Sequence, residues 1–152
     1  MNDRWDLSYL YKGFEDEAFQ NDLKSLPQEV ERLQALIADE SIPALEKLER
    51  YQEEDDRLSA KVDALMNFTM CTLAVDATNA EACAADDQLM SAFTSLEMLS
   101  SAFTRFVAGL DNLEELIASS PKLQAVAFAL REMKDEAKHL LPPAAEPWML
   151  EM

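Results

Sequence analysis

The chain has 152 residues, with 30 acidic side chains against 13 basic ones and a formal charge of −17 when its single histidine is neutral. That balance excludes a phosphate-backbone binder, which needs clustered Lys and Arg, and it disfavours an anionic membrane surface. Two glycines are too few for the tight turns of an all-β fold, and 49% hydrophobic residues is more than a disordered acidic chain carries. The length suits one domain with one core. No apolar run approaches the ~18 residues that cross a bilayer. No basic start followed by an apolar stretch marks a secretory leader, and Cys71 and Cys83 make no disulfide framework. These features point to a cytoplasmic protein with no nucleic-acid and no membrane partner.

In chain order, Trp5-Asp6-Leu7-Ser8-Tyr9-Leu10-Tyr11 is short and aromatic, and Gly13 closes it. It reads as an ordered arm, or a single turn, packed on a larger body. A first helix is expected over about Asp16–Asp39, because Phe19, Leu23, Leu26, Val30, Leu33 and Ile37 recur at steps of three and four. Pro27 inside it predicts a kink or a short break.

Ser41-Ile42-Pro43 is a restart, with Ser41 as the cap. The second helix carries Leu45, Leu48, Tyr51, Leu58, Val62, Leu65 and Phe68. Glu53-Glu54-Asp55-Asp56 interrupts this stripe as a solvated acidic face. Thr78-Asn79-Ala80-Glu81 reads as a capping box led by Thr78. The third helix follows with Leu89, Phe93, Leu96, Phe103, Val107 and Leu110, and Gly109 is placed as a left-handed cap near its end. Asp111 or Asn112 opens a short helix holding Leu113, Leu116 and Ile117. Ser120-Pro121 opens a fourth long helix with Leu123, Val126, Leu130, Met133, Ala137 and Leu140 on one face.

Pro142-Pro143 ends that helix, and Trp148-Met149-Leu150-Glu151-Met152 carries no stop signal, as though a further helix were cut midway. The expected fold is all-α: an up-down bundle of about four long antiparallel helices plus short terminal segments. Within it, residues 1–13 form the arm, 14–141 the helical bundle and 142–152 the start of a further, truncated helix.

No Lys or Arg lies between Lys61 and Arg105, a stretch holding Met66, Phe68, Met70, Cys71, Leu73, Met90, Phe93 and Met98. Either this hairpin is buried at the centre of the fold, or one side of it meets another domain or subunit.

Catalytic and metal signatures are absent from the sequence. His139 has no partner histidine for a zinc set and sits near a helix end. Glu136-x-x-His139 occurs once, whereas carboxylate-bridged clusters need the pair twice. Gly13 and Gly109 are too far apart to build a nucleophile elbow or a phosphate loop. The acidic run 53–56 lacks the spaced oxygens and glycine of a calcium loop. Cys71 and Cys83 flank the expected turn near Ala77, where a disulfide is conceivable and two free thiols are favoured. The expectation is therefore no catalytic, no cofactor-binding and no metal residue in this chain.

Three segments carry a resemblance. The opening, Trp5 to Tyr11, resembles the Trp-Asp-Leu-Ser-x-Leu-Tyr start of oligoendopeptidase F and its thimet-like zinc metallopeptidase relatives. The centre, Ala74-Val75-Asp76-Ala77-Thr78-Asn79-Ala80-Glu81-Ala82, resembles that family's Asp-x-Thr-Asn-x-x-Ala turn between two long helices. The end, His139-Leu140-Leu141-Pro142-Pro143-Ala144-Ala145-Glu146, is similar to its His-x-Leu-Ser-Pro-x-x-Glu segment, with Pro142 in place of the usual Ser. Order and spacing agree over essentially the whole chain.

The resemblance implies the N-terminal helical region of a longer peptidase that hydrolyses short peptides. Zinc and the general base would belong to a later catalytic domain. The helices here would wall the channel that admits peptides and excludes folded proteins. The implied partners are the chain's own C-terminal catalytic domain and short peptides, with self-association of the isolated fragment through the uncovered docking face. The alternative is a stand-alone acidic helical-bundle module that binds a basic protein partner, which the charge of −17 would steer.

Overall fold

The computed structural model describes residues 6–139. The described residues are all-helical, with no strand: α1 (Glu17–Ala38), α2 (Ala44–Val75), α3 (Ala80–Ala108), α4 (Leu113–Ser119), α5 (Pro121–Ala125), α6 (Ala127–Glu136) and a closing 3-10 turn, Ala137–His139. The arm's Trp5 and the expected further helix over 142–152 lie outside the described residues. Contacts divide the chain into two compact units. One combines residues 6–29 with 56–93, and the other combines 30–55 with 94–139.

α1 buries Phe19, Leu23, Leu26, Val30 and Leu33, which is the expected stripe. Its last member is Leu36 and not Ile37, which is only half-buried. The short break expected at Pro27 is not there, and α1 runs through it. Proline removes the N–H that would reach the Leu23 carbonyl, but Leu23, Leu26 and Val30 are buried on either side and keep the helix continuous.

The restart at Ser41 differs in its cap. Asp39 Oδ1 accepts from both the Ser41 N–H (2.9 Å) and the Ser41 hydroxyl (2.6 Å), so Ser41 is held in a turn. α2 begins two residues beyond the serine's neighbour Ile42, and the Pro43 carbonyl accepts from the Lys47 N–H at 2.9 Å.

α2 buries Leu48, Tyr51, Leu58, Val62, Leu65 and Phe68, leaving Leu45 half-buried. Seven residues separate Tyr51 from Leu58, two helical turns, so the acidic run between them does not displace the stripe. α3 buries Ala82, Ala85, Leu89, Leu99, Phe103 and Val107. Gly109 follows its end without the expected left-handed backbone, since no described residue has a positive φ. The turn closes instead through Gly109 N–H to Arg105 O (3.1 Å) and Leu110 N–H to Val107 O (3.1 Å).

Asn112 stands at the N-cap of α4 but makes no side-chain cap bond. Ser120 does: its Oγ accepts from the Leu123 N–H at 3.4 Å, with Pro121 in the first turn. The fourth long helix is overturned. It is split at Val126, whose backbone (φ −114°, ψ 15°) leaves the helix after five residues and whose N–H returns to Leu123 O at 3.2 Å. Leu123 and Leu130 are buried, while Val126, Met133 and Ala137 are only half-buried, so the apolar face that would hold a long helix straight is thin.

In the unit of residues 6–29 and 56–93, the arm folds inward. Asp6 Oδ1 accepts from the Ser8 N–H (2.9 Å), and Leu10 and Tyr11 N–H groups close a turn on Leu7 O. Tyr11 and Phe14 then join Phe19 and Phe68 in a four-ring cluster with mostly edge-to-face contacts and centroids 5.0–5.7 Å apart. The Tyr11 hydroxyl donates to Asp22 Oδ2 at 2.8 Å. Lys61 Nζ lies 4.0 Å from Asp22, donates to Ser25 Oγ at 3.1 Å and pairs with Glu29.

In the other unit, Tyr51 stacks on Phe103 with centroids 3.6 Å apart and planes 6° from parallel. Lys47 is buried yet satisfied: its Nζ donates to Ile37 O at 2.9 Å and sits 4.9 Å from the Phe106 ring centre. Glu49 accepts from Ser120 Oγ, and Glu53 pairs with Lys122. The acidic face of α2 thus anchors the start of α5 rather than being purely solvated. Arg131 grips Glu114 with two hydrogen bonds of 2.8 Å, and Lys134 Nζ donates to Leu110 O at 2.6 Å.

Candidate functional site

Two places in the unit of residues 6–29 and 56–93 collect chemically distinctive side chains: the turn between α2 and α3, and a groove beside the arm. The turn is built by short polar side chains. Asp76 Oδ1 accepts from the Thr78 N–H (3.0 Å) and hydroxyl (2.7 Å). These hydrogen bonds hold its carboxyl below the usual carboxylate range, the Thr78 hydroxyl contributing most. Because Thr78 is taken, the cap passes to Asn79, whose Oδ1 accepts from the Ala82 N–H at 2.9 Å. The sequence reading put the cap one residue too early. The missed signal is Asp76, two residues before Thr78, at the spacing of an Asx turn.

Beside the turn the surface carries open apolar side chains and no basic ones: Val75 is 90% exposed, with Met70 (47%) and Met90 (49%) also open. Cys71 is half-buried and Cys83 exposed, and both are free thiols. The Cys83 thiol donates to Ala77 O at 3.7 Å. Two buried polar atoms in this unit lack a hydrogen-bond partner, Thr69 Oγ1 and Asp86 Oδ1.

The groove lies between the start of α1 and the start of α3. A cavity of about 190 Å³ is lined by the buried Phe14, Phe19, Leu23 and Ala85, with the exposed Glu15, Glu81, Ala84 and Gln88 and the half-buried Gln20 around it. Gln20 is fixed by its Nε2, which donates to Phe14 O at 2.7 Å. A second hollow of about 390 Å³ shares Phe14, Glu15 and Glu81 with the first and adds Lys12, Gly13 and Asp16. Asp16 is committed to the helix start: its carboxylate accepts from the Lys12 N–H (3.0 Å) and the Ala18 N–H (3.1 Å). Those two backbone bonds keep its carboxyl below the usual range. The groove joins residues some 65 positions apart, and no local pattern marks it.

His139 ends the 3-10 turn and is exposed, as is Glu136. Among the described residues no group of three His, Cys, Asp or Glu could hold a metal ion. The zinc implied by the resemblance therefore has no fitting ligand set among them. No described helix is long and apolar enough to cross a membrane.

No family model, curated protein or solved structure matches this chain.

Proposed function

We propose that the chain is the non-catalytic N-terminal helical part of an oligoendopeptidase F-like zinc metallopeptidase that acts in the cytoplasm on short peptides. Its helices would wall the substrate channel and limit substrate size, in an up-down arrangement of the long helices, while a C-terminal domain supplies zinc and the general base. One observation carries this reading: two of the three resembling segments fall on structural joints. Asp76, Thr78 and Asn79 build the turn between the two longest helices. Leu7 and Tyr11 fold the arm onto the aromatic cluster. The apolar surface at Met70, Val75 and Met90 suits a face covered by more protein.

The test is to read the source gene beyond codon 152. The expected result is an open frame reaching His-Glu-x-x-His, with peptidase activity in the full-length protein that this chain lacks by itself. A stop codon directly after Met152 would remove the reading.

A second reading is favoured by the charge of −17 together with the groove edged by Glu15 and Glu81: an acidic helical module that binds a basic protein partner. Its signature is binding to a basic protein that weakens steeply with salt. Binding that is absent at low salt, or indifferent to salt, removes it.

A further inference from the structure

We infer that the groove between the start of α1 and the start of α3 is a receptor for an arginine side chain presented by a basic peptide segment. The inference rests on the second reading above and gives it a site. A water molecule occupies about 30 Å³ of liquid, so a cavity of about 190 Å³ has room for a side chain. Its lining is apolar: Ala84 is exposed and Phe14 is 9% exposed, while Phe19 is fully buried behind them. Such a lining suits the aliphatic stem of a long cationic side chain.

The mouth supplies the matching charge. Glu15, Asp16 and Glu81 line it against Lys12. Asp16 is already occupied by backbone N–H groups, so recognition falls to Glu15 and Glu81. Both are exposed. Glu81 lies in the first turn of α3, where the helix N-terminus offsets part of its charge. Two carboxylates and the side-chain oxygens of Gln20 and Gln88 nevertheless give a multi-donor head several acceptors, which an ammonium group uses less fully. The stretch of α3 beside the groove brings no counter-charge, since its one basic residue, Arg105, lies in its last turn. An anionic ligand would meet two exposed carboxylates, and a purely apolar one would leave them unpaired.

The test uses the whole 152-residue chain, isotope-labelled and titrated with a seven-residue peptide of alternating Arg and Leu. The same peptide with Lys for Arg, and with Glu for Arg, serves for comparison. Amide shifts are expected to cluster at Phe14, Glu15, Gln20, Glu81 and Gln88, with the Arg peptide tighter than the Lys peptide and the Glu peptide silent. The double variant Glu15→Gln, Glu81→Gln should weaken Arg-peptide binding about fivefold or more, while Glu132→Gln, an exposed acid in the other unit, should not. Ala84→Lys, at an exposed lining position, should block the groove, with helicity by circular dichroism confirming that each variant folds.

Salt-sensitive binding whose shifts lie elsewhere, or which survives both groove variants, overturns the site while leaving the acidic-module reading in place. No binding of either cationic peptide at low salt overturns both.

Discussion

Gly109 shows how a residue's type can mislead about its duty. A glycine just past a long helix suggests a left-handed cap, yet its φ is not positive. A Cβ built there meets only Phe106 O at 3.5 Å and Arg105 O at 3.6 Å, both ordinary contacts. Gly109→Ala therefore fits without strain and restricts the unfolded chain, so it should raise stability by about 0.4–1 kcal/mol in urea denaturation. A loss of stability would mean the position does need glycine. Asn79 is the converse case. It carries the cap bond of α3, so Asn79→Ala should cost about 1 kcal/mol. Thr78→Ala removes only an exposed turn bond to Asp76 and should cost distinctly less. Had Thr78 been the cap, as its capping-box spacing suggested, the order of the two losses would be reversed. The residue that decides between them, Asp76, lies outside the four-residue motif.

At the scale of elements, helix existence was legible because burial follows the period of the chain. The stripes of α1 and α2 could be read from Phe19 to Leu33 and from Leu48 to Phe68, since each apolar step of three or four returns to one face. Ser120-Pro121 was legible for a local reason as well, a cap acceptor followed by a residue preset for the first turn. What failed were balances between local cost and tertiary gain. Pro27 carries a local penalty that the buried leucines around it override, whereas Val126 breaks a helix whose neighbours bury too little to hold it. Pro27 is exposed, so its substitution disturbs little packing. Pro27→Ala restores an N–H to the helix interior and should raise the thermal midpoint, by an amount corresponding to about 1–3 kcal/mol. An unchanged or lower midpoint would show that the ring is accommodated without cost. The groove was illegible at this scale for a different reason: Phe14 and Phe19 read as core, Glu15 and Glu81 as surface, and only the tertiary pairing of two helix starts makes them one place.

For the whole molecule, charge is the property with the longest reach, and it acts in two opposing ways as pH falls. Protonating carboxylates relieves the self-repulsion of a chain carrying −17. It also removes acceptors that the folded state uses. Asp16 is held below the ordinary carboxylate range chiefly by the Lys12 N–H, Asp39 by the Ser41 hydroxyl and Asp76 by the Thr78 hydroxyl. Each folded-state pKa is lowered, so each contributes stability that is fully present above the unfolded aspartate value of about 3.9 and is lost as pH falls through the lower folded value. All three sit at or between helix ends, so their loss loosens the starts of α1 and α3 and the link before α2. The triple variant Asp16→Asn, Asp39→Asn, Asp76→Asn cannot titrate and keeps one acceptor oxygen at every position, which serves both bonds of Asp39 and of Asp76 and one of the two bonds of Asp16. In about 1 M salt, where the screening length is about 3 Å and distant repulsion is suppressed, wild-type thermal stability should fall more steeply between about pH 5 and pH 2 than that of the variant. Parallel slopes would assign the acid response to other carboxylates. A steeper fall in the variant would contradict the lowered pKa values themselves.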